Sequence, residues 1–336
     1  MKAIVQHGYG FPADVLALRD IETPTIGDDE VLIRARAASV HPDVWHVVEG
    51  RPYVLRAMGS GLRAPTAVVP GTDVAGVVEE IGSSVTRFRP GDAVFGETVR
   101  GYQWKNGGAF AEYVAAPEAS LVPKPDTDTF EQAASVPTSG LIAIANLEQG
   151  RLATGQRVLI NGAGGGVGML AVQIAKARGA EVTGVDRTDK LDLLRELGAD
   201  HVIDYTDEDF TKSDMRYDLI FDIPGNHSLR ECLRALEPDG TYVLIGHDGF
   251  GATSGRWLGS VPRMLALMVR SLVERQLPNP SFAMPDKQQS LTLLAELMTS
   301  GRITPLIDRT YPLGEAPQAI QHLASGRAHG RLVITM

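Results

Sequence analysis

Arg157-Val158-Leu159-Ile160-Asn161-Gly162-Ala163-Gly164-Gly165-Gly166-Val167-Gly168 reads as a short buried strand that runs into a glycine turn and then a helix. Met169, Leu170, Val172, Ile174 and Ala175 supply the apolar face of that helix, and Lys176 and Arg178 stand near its end before Gly179 stops it. A pyrophosphate reaches main-chain N–H groups at a helix N-terminus only where no Cβ intervenes, which gives the glycines a physical meaning. Glu181-Val182-Thr183-Gly184-Val185-Asp186 follows as a second strand-like run and ends in an acidic residue, as a dinucleotide-binding βαβ unit requires. Gly164, Gly165, Gly166 and Val167 are therefore the candidate phosphate cradle.

Downstream, a helix over 190–197 closes on Gly198, and strands are expected at 202–205, Tyr217–Asp222 and 241–246 with a helix at 228–236 between the last two. Strands alternating with helices predict an α/β, doubly wound parallel sheet. Upstream, short β-runs at Lys2–Gln6, 31–37, 74–81, 93–95 and 110–114 are broken by Gly, Pro and Asp, which suggests a compact barrel. Asp73 and Asp92, each near a glycine, read as turn and barrel-closure residues. Pro123-Lys124-Pro125-Asp126 is a stiff linker, and a helix over 129–134 is expected under Thr127 or Asp128 as N-cap. The C-terminal part reads as helix 287–300, strand 306–311, helix 316–325 and strand Arg331–Thr335.

A chain of 336 residues with 43% hydrophobic residues can bury two cores. A net charge of −9 with no basic block argues against nucleic acid as a partner. The single cysteine, Cys232, excludes an internal disulfide and a thiolate cluster for zinc, suits a reducing cytoplasm, and is expected as a core filler. The N-terminus reads as a strand with no signal-type apolar stretch. Residues 261–273 form an apolar run too short and too punctuated by arginine to span a membrane. A helical cover or a contact in a homodimer fits that run better.

Residues 158–205, with Gly165-Gly166-Val167-Gly168, Leu197-Gly198-Ala199-Asp200 and Val202-Ile203-Asp204-Tyr205, resemble the nucleotide-binding half of the medium-chain dehydrogenase/reductase superfamily, quinone oxidoreductase branch. Pro70-Gly71-Thr72-Asp73-Val74-Ala75-Gly76-Val77-Val78 and Gly91-Asp92-Ala93-Val94-Phe95-Gly96 match that superfamily's N-terminal barrel, so the resemblance covers nearly the whole chain. It implies a GroES-like β-barrel, substrate-binding domain from residues 1–125 and 287–336, and a Rossmann NAD(P)-binding domain from 126–286. It places Thr138 beside the reactive end of the nicotinamide. Lys190, Tyr205 and Arg327 match positions of the NADPH-using type, with Arg187 adjacent, whereas Asp186 is the acidic residue that commonly takes the ribose hydroxyls of NAD. NADP(H) is the preferred cofactor on this reading, with NAD(H) as the second.

In zinc-dependent relatives the loop matching Ser39-Val40-His41-Pro42-Asp43-Val44-Trp45-His46 supplies a metal-binding cysteine, and a four-cysteine lobe holds a second zinc; this chain has neither. Zinc is not expected. Quinone oxidoreductases carry Asn where His41 stands and Asp where Val44 stands, with Asp43 one place early here. His41 remains able to bond a substrate oxygen or donate a proton. Related reductases place a tyrosine near Tyr53, within the aperiodic run 49–63 that looks like a lip, which makes it a second candidate donor or a stacking ring. Trp104 and the turn 106–108 are expected to edge the same region.

These expectations converge on a zinc-independent reductase passing hydride to a small quinone or α,β-unsaturated carbonyl. A non-catalytic NADPH-binding sensor and a zinc alcohol dehydrogenase are the alternatives.

Overall fold

The computed structural model describes residues 1–101, 105–246, 255–279 and 283–336; Trp104 lies outside them. The chain divides into two units, Met1–Ser139 with Asp286–Gly301 and Pro305–Met336, and Gly140–Pro285 with Arg302–Thr304. In chain order the strands are β1 (Lys2–Gln6), β2 (Leu16–Asp20), β3 (Glu30–Val40), β4 (Asp73–Ile81), β5 (Ala93–Glu97), β6 (Tyr113–Pro117), β7 (Leu121–Pro123), β8 (Arg157–Asn161), β9 (Glu181–Asp186), β10 (His201–Asp204), β11 (Tyr217–Asp222), β12 (Leu236–Leu244), β13 (Ile307–Pro312) and β14 (Arg331–Thr335).

In the first unit β3 is the organising strand. It pairs antiparallel with β14, β4 and β6, and the path continues from β4 through β5 to β7 and from β14 to β13. Val31, Ile33 and Ala35 point into the core while Arg34 and Arg36 point out, the period-2 alternation of a sheet buried on one face. Ile4, Val74, Phe110, Leu332 and Ile334 fill the interior between the two ends of the chain. The expected strand at 110–114 starts later, at Tyr113, because Phe110 is already spent: it is buried, and its carbonyl takes the Ile4 N–H at 2.9 Å.

The first unit runs to Ser139 rather than stopping at residue 125, because the helix Phe130–Ala134 packs on β3 and β4 and buries Ala133 and Ala134. Its N-cap is Thr129, not Thr127 or Asp128. The Thr129 hydroxyl accepts from the Gln132 N–H, and the Gln132 side chain accepts from the Thr129 N–H, closing a capping box. The segment after His41, read as a loop, is the helix Pro42–Glu49 with Pro42 in its first turn and Gly50 at φ 62 ending it.

The second unit is a parallel sheet in the order β10-β9-β8-β11-β12, the doubly wound arrangement expected. Val158, Leu159 and Ile160 on β8 and Leu219, Ile220 and Phe221 on β11 are fully buried, as central parallel strands covered on both faces must be. β12 begins at Leu236, earlier than residue 241. Cys232 packs in the core beside Tyr217 and Tyr242. Among the described residues no helix is long and apolar enough to cross a membrane.

Candidate active site

Asn161, Asp186, Asp204 and Asp222 end β8, β9, β10 and β11, so polar strand ends line one edge of the parallel sheet, the edge where open α/β sheets bind their ligands. The helix Gly166–Ala177 starts there with Gly165 as N-cap and no side-chain cap, which leaves first-turn N–H groups for an anion. Gly168 must be glycine for packing: a Cβ would lie 2.3 Å from the Gly162 carbonyl oxygen and 2.6 Å from that of Ala163. Gly168 thus lets the helix start pack closely on the turn.

The acidic and basic residues near the turn take positions the sequence did not anticipate. Asp186 faces neither solvent nor the Arg187 guanidinium. Its Oδ2 accepts from the Gly164 N–H at 2.7 Å and its Oδ1 from the Arg187 N–H at 2.9 Å. Lys190 is buried, and its Nζ donates to the Gly164 carbonyl at 3.0 Å. A Cβ on Gly164 would stand 2.5 Å from Lys190 Cδ and 2.9 Å from Asp186 Oδ2. Both side chains thus clasp the glycine turn. The Arg187 guanidinium is exposed and pairs with Asp189 at 3.1 Å, and Tyr205 is about half exposed just beyond Asp204. Arg327 belongs to the first unit, where its Nε bonds the Ser325 hydroxyl.

A second cluster on this edge was missed. The fully buried Asp222 accepts from the Asn161 amide and the Gly225 N–H, both at 2.9 Å, and from the Tyr242 hydroxyl at 2.8 Å. Burial, then the neighbouring Asp222 charge, pushes the Tyr242 phenol up, so it stays a donor. The local signal was Asp222-Ile223-Pro224-Gly225, an acid followed by a turn at a strand end.

In the first unit, His41 is the N-cap residue of the helix Pro42–Glu49 and is 2% exposed. Its Nε2 lies 2.7 Å from the Thr72 hydroxyl. Its Nδ1 has no hydrogen-bond partner, the Asp43 carboxylate being 3.8 Å away. Burial, opposed by Asp43 and Glu97 and assisted by Arg331, holds the imidazole below its ordinary value and therefore neutral at pH 7. A cavity of about 30 Å³ among the described residues is lined by Val44, Val47 and Val99 as well as by His41, Asp43, Thr72, Glu97, Asn106 and Thr138.

Behind that cavity lies an ionic network. Asp73, expected in a turn, is instead the fully buried first residue of β4: Oδ2 accepts from the Ser39 hydroxyl at 2.6 Å, and Oδ1 from the Thr138 N–H at 3.1 Å and hydroxyl at 2.5 Å. The Thr138 hydroxyl also lies 2.8 Å from Glu97 Oε1, and Glu97 Oε2 meets Lys287 Nζ at 2.6 Å. Arg331 donates to Ser39 at 3.0 Å and stands 3.8 Å from Asp73. Burial drives the Asp73 carboxyl up and the Arg331 charge opposes it. Asp92 is a turn residue as read, accepting from the Arg89 N–H at 2.8 Å.

Tyr53 lies in the lip segment, where the Arg56 guanidinium stacks between its ring, at 4.7 Å, and that of Tyr9, at 4.3 Å. Among the described residues the His41 cavity is lined without Tyr53. The donor set fits zinc poorly: His41 Nε2 is turned to a hydroxyl, and the single thiol, Cys232, sits in the second unit's core with burial pushing it up to about 12.

Residues 27–126 match the alcohol dehydrogenase GroES-like domain and residues 197–334 the zinc-binding dehydrogenase family. The 2-methylene-furan-3-one reductase of Solanum lycopersicum is 31% identical over 99% of this chain and 79% of its own length. The chloroplastic NADPH-dependent alkenal/one oxidoreductase of Arabidopsis thaliana is likewise 31% identical, over the same shares. The quinone oxidoreductase from Coxiella burnetii superposes with a TM-score of 0.83 at 30% identity, covering 100% of this chain and 99% of that one.

Proposed function

This chain belongs to the medium-chain dehydrogenase/reductase superfamily, among its quinone and enone oxidoreductases, and from that premise we propose that it is an NADPH-dependent reductase of quinones or α,β-unsaturated carbonyls that works without zinc. The observation that carries the reading is the neutral, buried His41, whose Nδ1 is left unpartnered beside a small cavity. Bound NADPH would supply a hydride. A conjugated acceptor spreads the incoming charge onto an oxygen, and His41 Nδ1–H stabilises that oxygen and then protonates it. The second unit's cradle orients the cofactor through the first-turn N–H groups at Gly166 and Val167. Thr138 contributes on the nicotinamide side, and Tyr53 serves the lip as a stacking ring or second donor.

Steady-state oxidation of NADPH with a panel of quinones and enones tests the reading. Turnover that survives a chelator is expected, and Tyr53→Phe should lower kcat by more than it weakens NADPH binding. Binding of NADPH with no turnover on any acceptor would favour the sensor alternative, and activity lost on chelation would restore zinc.

NADPH preference is supported by Arg187, Lys190, Tyr205 and Arg327, and by the backbone ties on Asp186, which occupy a lone pair on each of its oxygens. Lys190→Ala separates two roles for this lysine. Loss of a phosphate contact is expected to cut efficiency with NADPH about tenfold more than with NADH. Equal losses would assign Lys190 to the glycine turn alone.

Exposed Trp257, Leu258, Leu265, Met268, Val269, Leu272 and Val273 support a homodimer, because a single copy leaves this apolar face uncovered by the described residues. Sedimentation at micromolar concentration should find two copies; a monomer would remove the proposal. The cysteine usage supports a reducing compartment such as the cytoplasm, and fractionation of the source cells that finds the protein outside any such compartment would exclude it.

A further inference from the structure

The Asn106-Gly107-Gly108 segment carries an amide that the reaction above does not use. Asn106 is 4% exposed and lines the same cavity as His41. Its Nδ2 donates to Gln6 Oε1 at 2.7 Å and to the Ala67 carbonyl at 2.8 Å, so both of its N–H bonds are engaged. Gln6 cannot turn round to offer a donor instead, because its own Nε2 serves the carbonyls of Gly8 at 2.8 Å and Val48 at 3.0 Å. The amide is thereby fixed with Oδ1 as an acceptor, and that atom has no hydrogen-bond partner among the described residues. Gln6 and Ala67 lie outside the cavity lining, which leaves Oδ1 as the edge of the amide on the cavity side. The backbone is held as firmly: the Gly107 N–H donates to the Gly71 carbonyl at 3.0 Å, and a Cβ on Gly107 would stand 2.3 Å from Thr98 Oγ1.

Folded chains seldom keep a buried acceptor without a donor, since water or a ligand has to replace what burial removes. The cavity's own hydroxyls are engaged elsewhere, Thr72 with His41 Nε2 and Thr138 with Asp73 and Glu97. Asp43 and Glu97 add carboxylates to the lining, and Lys105 is the one cation among its described residues. We infer that Asn106 selects enones that carry a hydroxyl one carbon away from the carbonyl, a narrowing of the substrate class that rests on the reductase reading. The carbonyl oxygen accepts from His41 Nδ1–H, and the hydroxyl donates to Asn106 Oδ1. Adjacent groups are required because both protein atoms belong to residues around one small cavity. A methyl ether at the same place supplies no hydrogen and buries Oδ1 against carbon or a lone pair. A carboxylate there meets Asp43 and Glu97 as like charges. Asn106 takes no part in bond making; it is a specificity determinant.

Matched substrates test the inference in the full-length protein with NADPH. Hydroxymethyl vinyl ketone is expected to be reduced with a kcat/KM about 10- to 100-fold above that of methoxymethyl vinyl ketone. In Asn106→Leu that ratio should fall to within about twofold. The ratio is read rather than the rate, because Asn106→Leu also leaves Gln6 Oε1 without its donor, and a loss of packing lowers both substrates alike. A wild-type ratio near one, or a ratio that Asn106→Leu preserves, would overturn the assignment; in the second case Asp43 is the acceptor. Nitrogen-15 NMR supplies a readout without turnover and without the variant's stability, with hydroxyacetone and methoxyacetone as non-conjugated probes. The Asn106 side-chain amide signals, assigned from their contacts to Gln6, should move with hydroxyacetone at about tenfold lower concentration than with methoxyacetone; equal responses, or none to hydroxyacetone, would overturn the site. If the wild type reduces neither ketone, the reductase reading falls, while the two saturated probes still decide whether Asn106 receives a hydroxyl.

Discussion

Asp73→Ala is expected to lower the stability of the first unit by roughly 3–5 kcal/mol, the cost of leaving one partner of a buried ion pair alone. Arg331 is 5% exposed and Asp73 is the carboxylate 3.8 Å from it, so removing the acid strands a guanidinium that water cannot reach. The same change deprives Ser39 of its acceptor and the Thr138 N–H of its own. A urea melt followed by tryptophan fluorescence measures the loss, with Trp45 in the first unit as the reporter. Asp73→Ala combined with Arg331→Met should recover part of it, because the second change removes the stranded charge. A loss under about 1 kcal/mol for Asp73→Ala alone, the scale of an ordinary surface substitution, would show that the network is not what holds β4, β14 and the start of the helix Pro137–Gln149 together.

Gly168→Val is the second large effect. Its Cβ would be driven against the carbonyls of Gly162 and Ala163, and backbone has little freedom to give way. The helix start must then tilt away from the turn, and the N–H groups proposed to hold a pyrophosphate leave their positions. Losing one or two charge-assisted hydrogen bonds at about 1.5–3 kcal/mol each weakens NADPH binding about 100-fold. Titration calorimetry measures this directly. The first unit's core does not involve Gly168, so its denaturation midpoint should stay in place. Affinity unchanged within about twofold would mean that this turn is not the cofactor's cradle.

The second unit was legible in the sequence because its signals are local. Strand, glycine turn, helix and acidic strand end all fall within 157–186, and Glu181–Asp186 and Tyr217–Asp222 were read with their observed limits. The helix Pro42–Glu49 carried a signal that was passed over: Pro42 at the first turn, then Val44, Val47 and Val48 on one buried face. Thr129 and Gln132 likewise spelled a capping box three residues apart. Asp73 was illegible for a different reason. Its partners Ser39 and Thr138 are 34 and 65 positions away, and Arg331 comes from the last strand, so nothing near Asp73 distinguishes a buried hub from a turn residue. Asp186 and Lys190 were read as cofactor contacts, whereas their side chains turn to the glycine turn, a direction that depends on Gly164, whose missing Cβ leaves room for both.

The identity of the acceptor atom is where sequence, fold and site meet. NADPH deuterated at C4 of the nicotinamide, supplied to the wild-type protein with an enone, tests it by mass spectrometry of the product. A saturated ketone carrying one deuterium at its β-carbon, with the α-hydrogen drawn from solvent, is the expected result; bound NADPH with the enone recovered unlabelled, or the label found on a carbinol carbon, would contradict it.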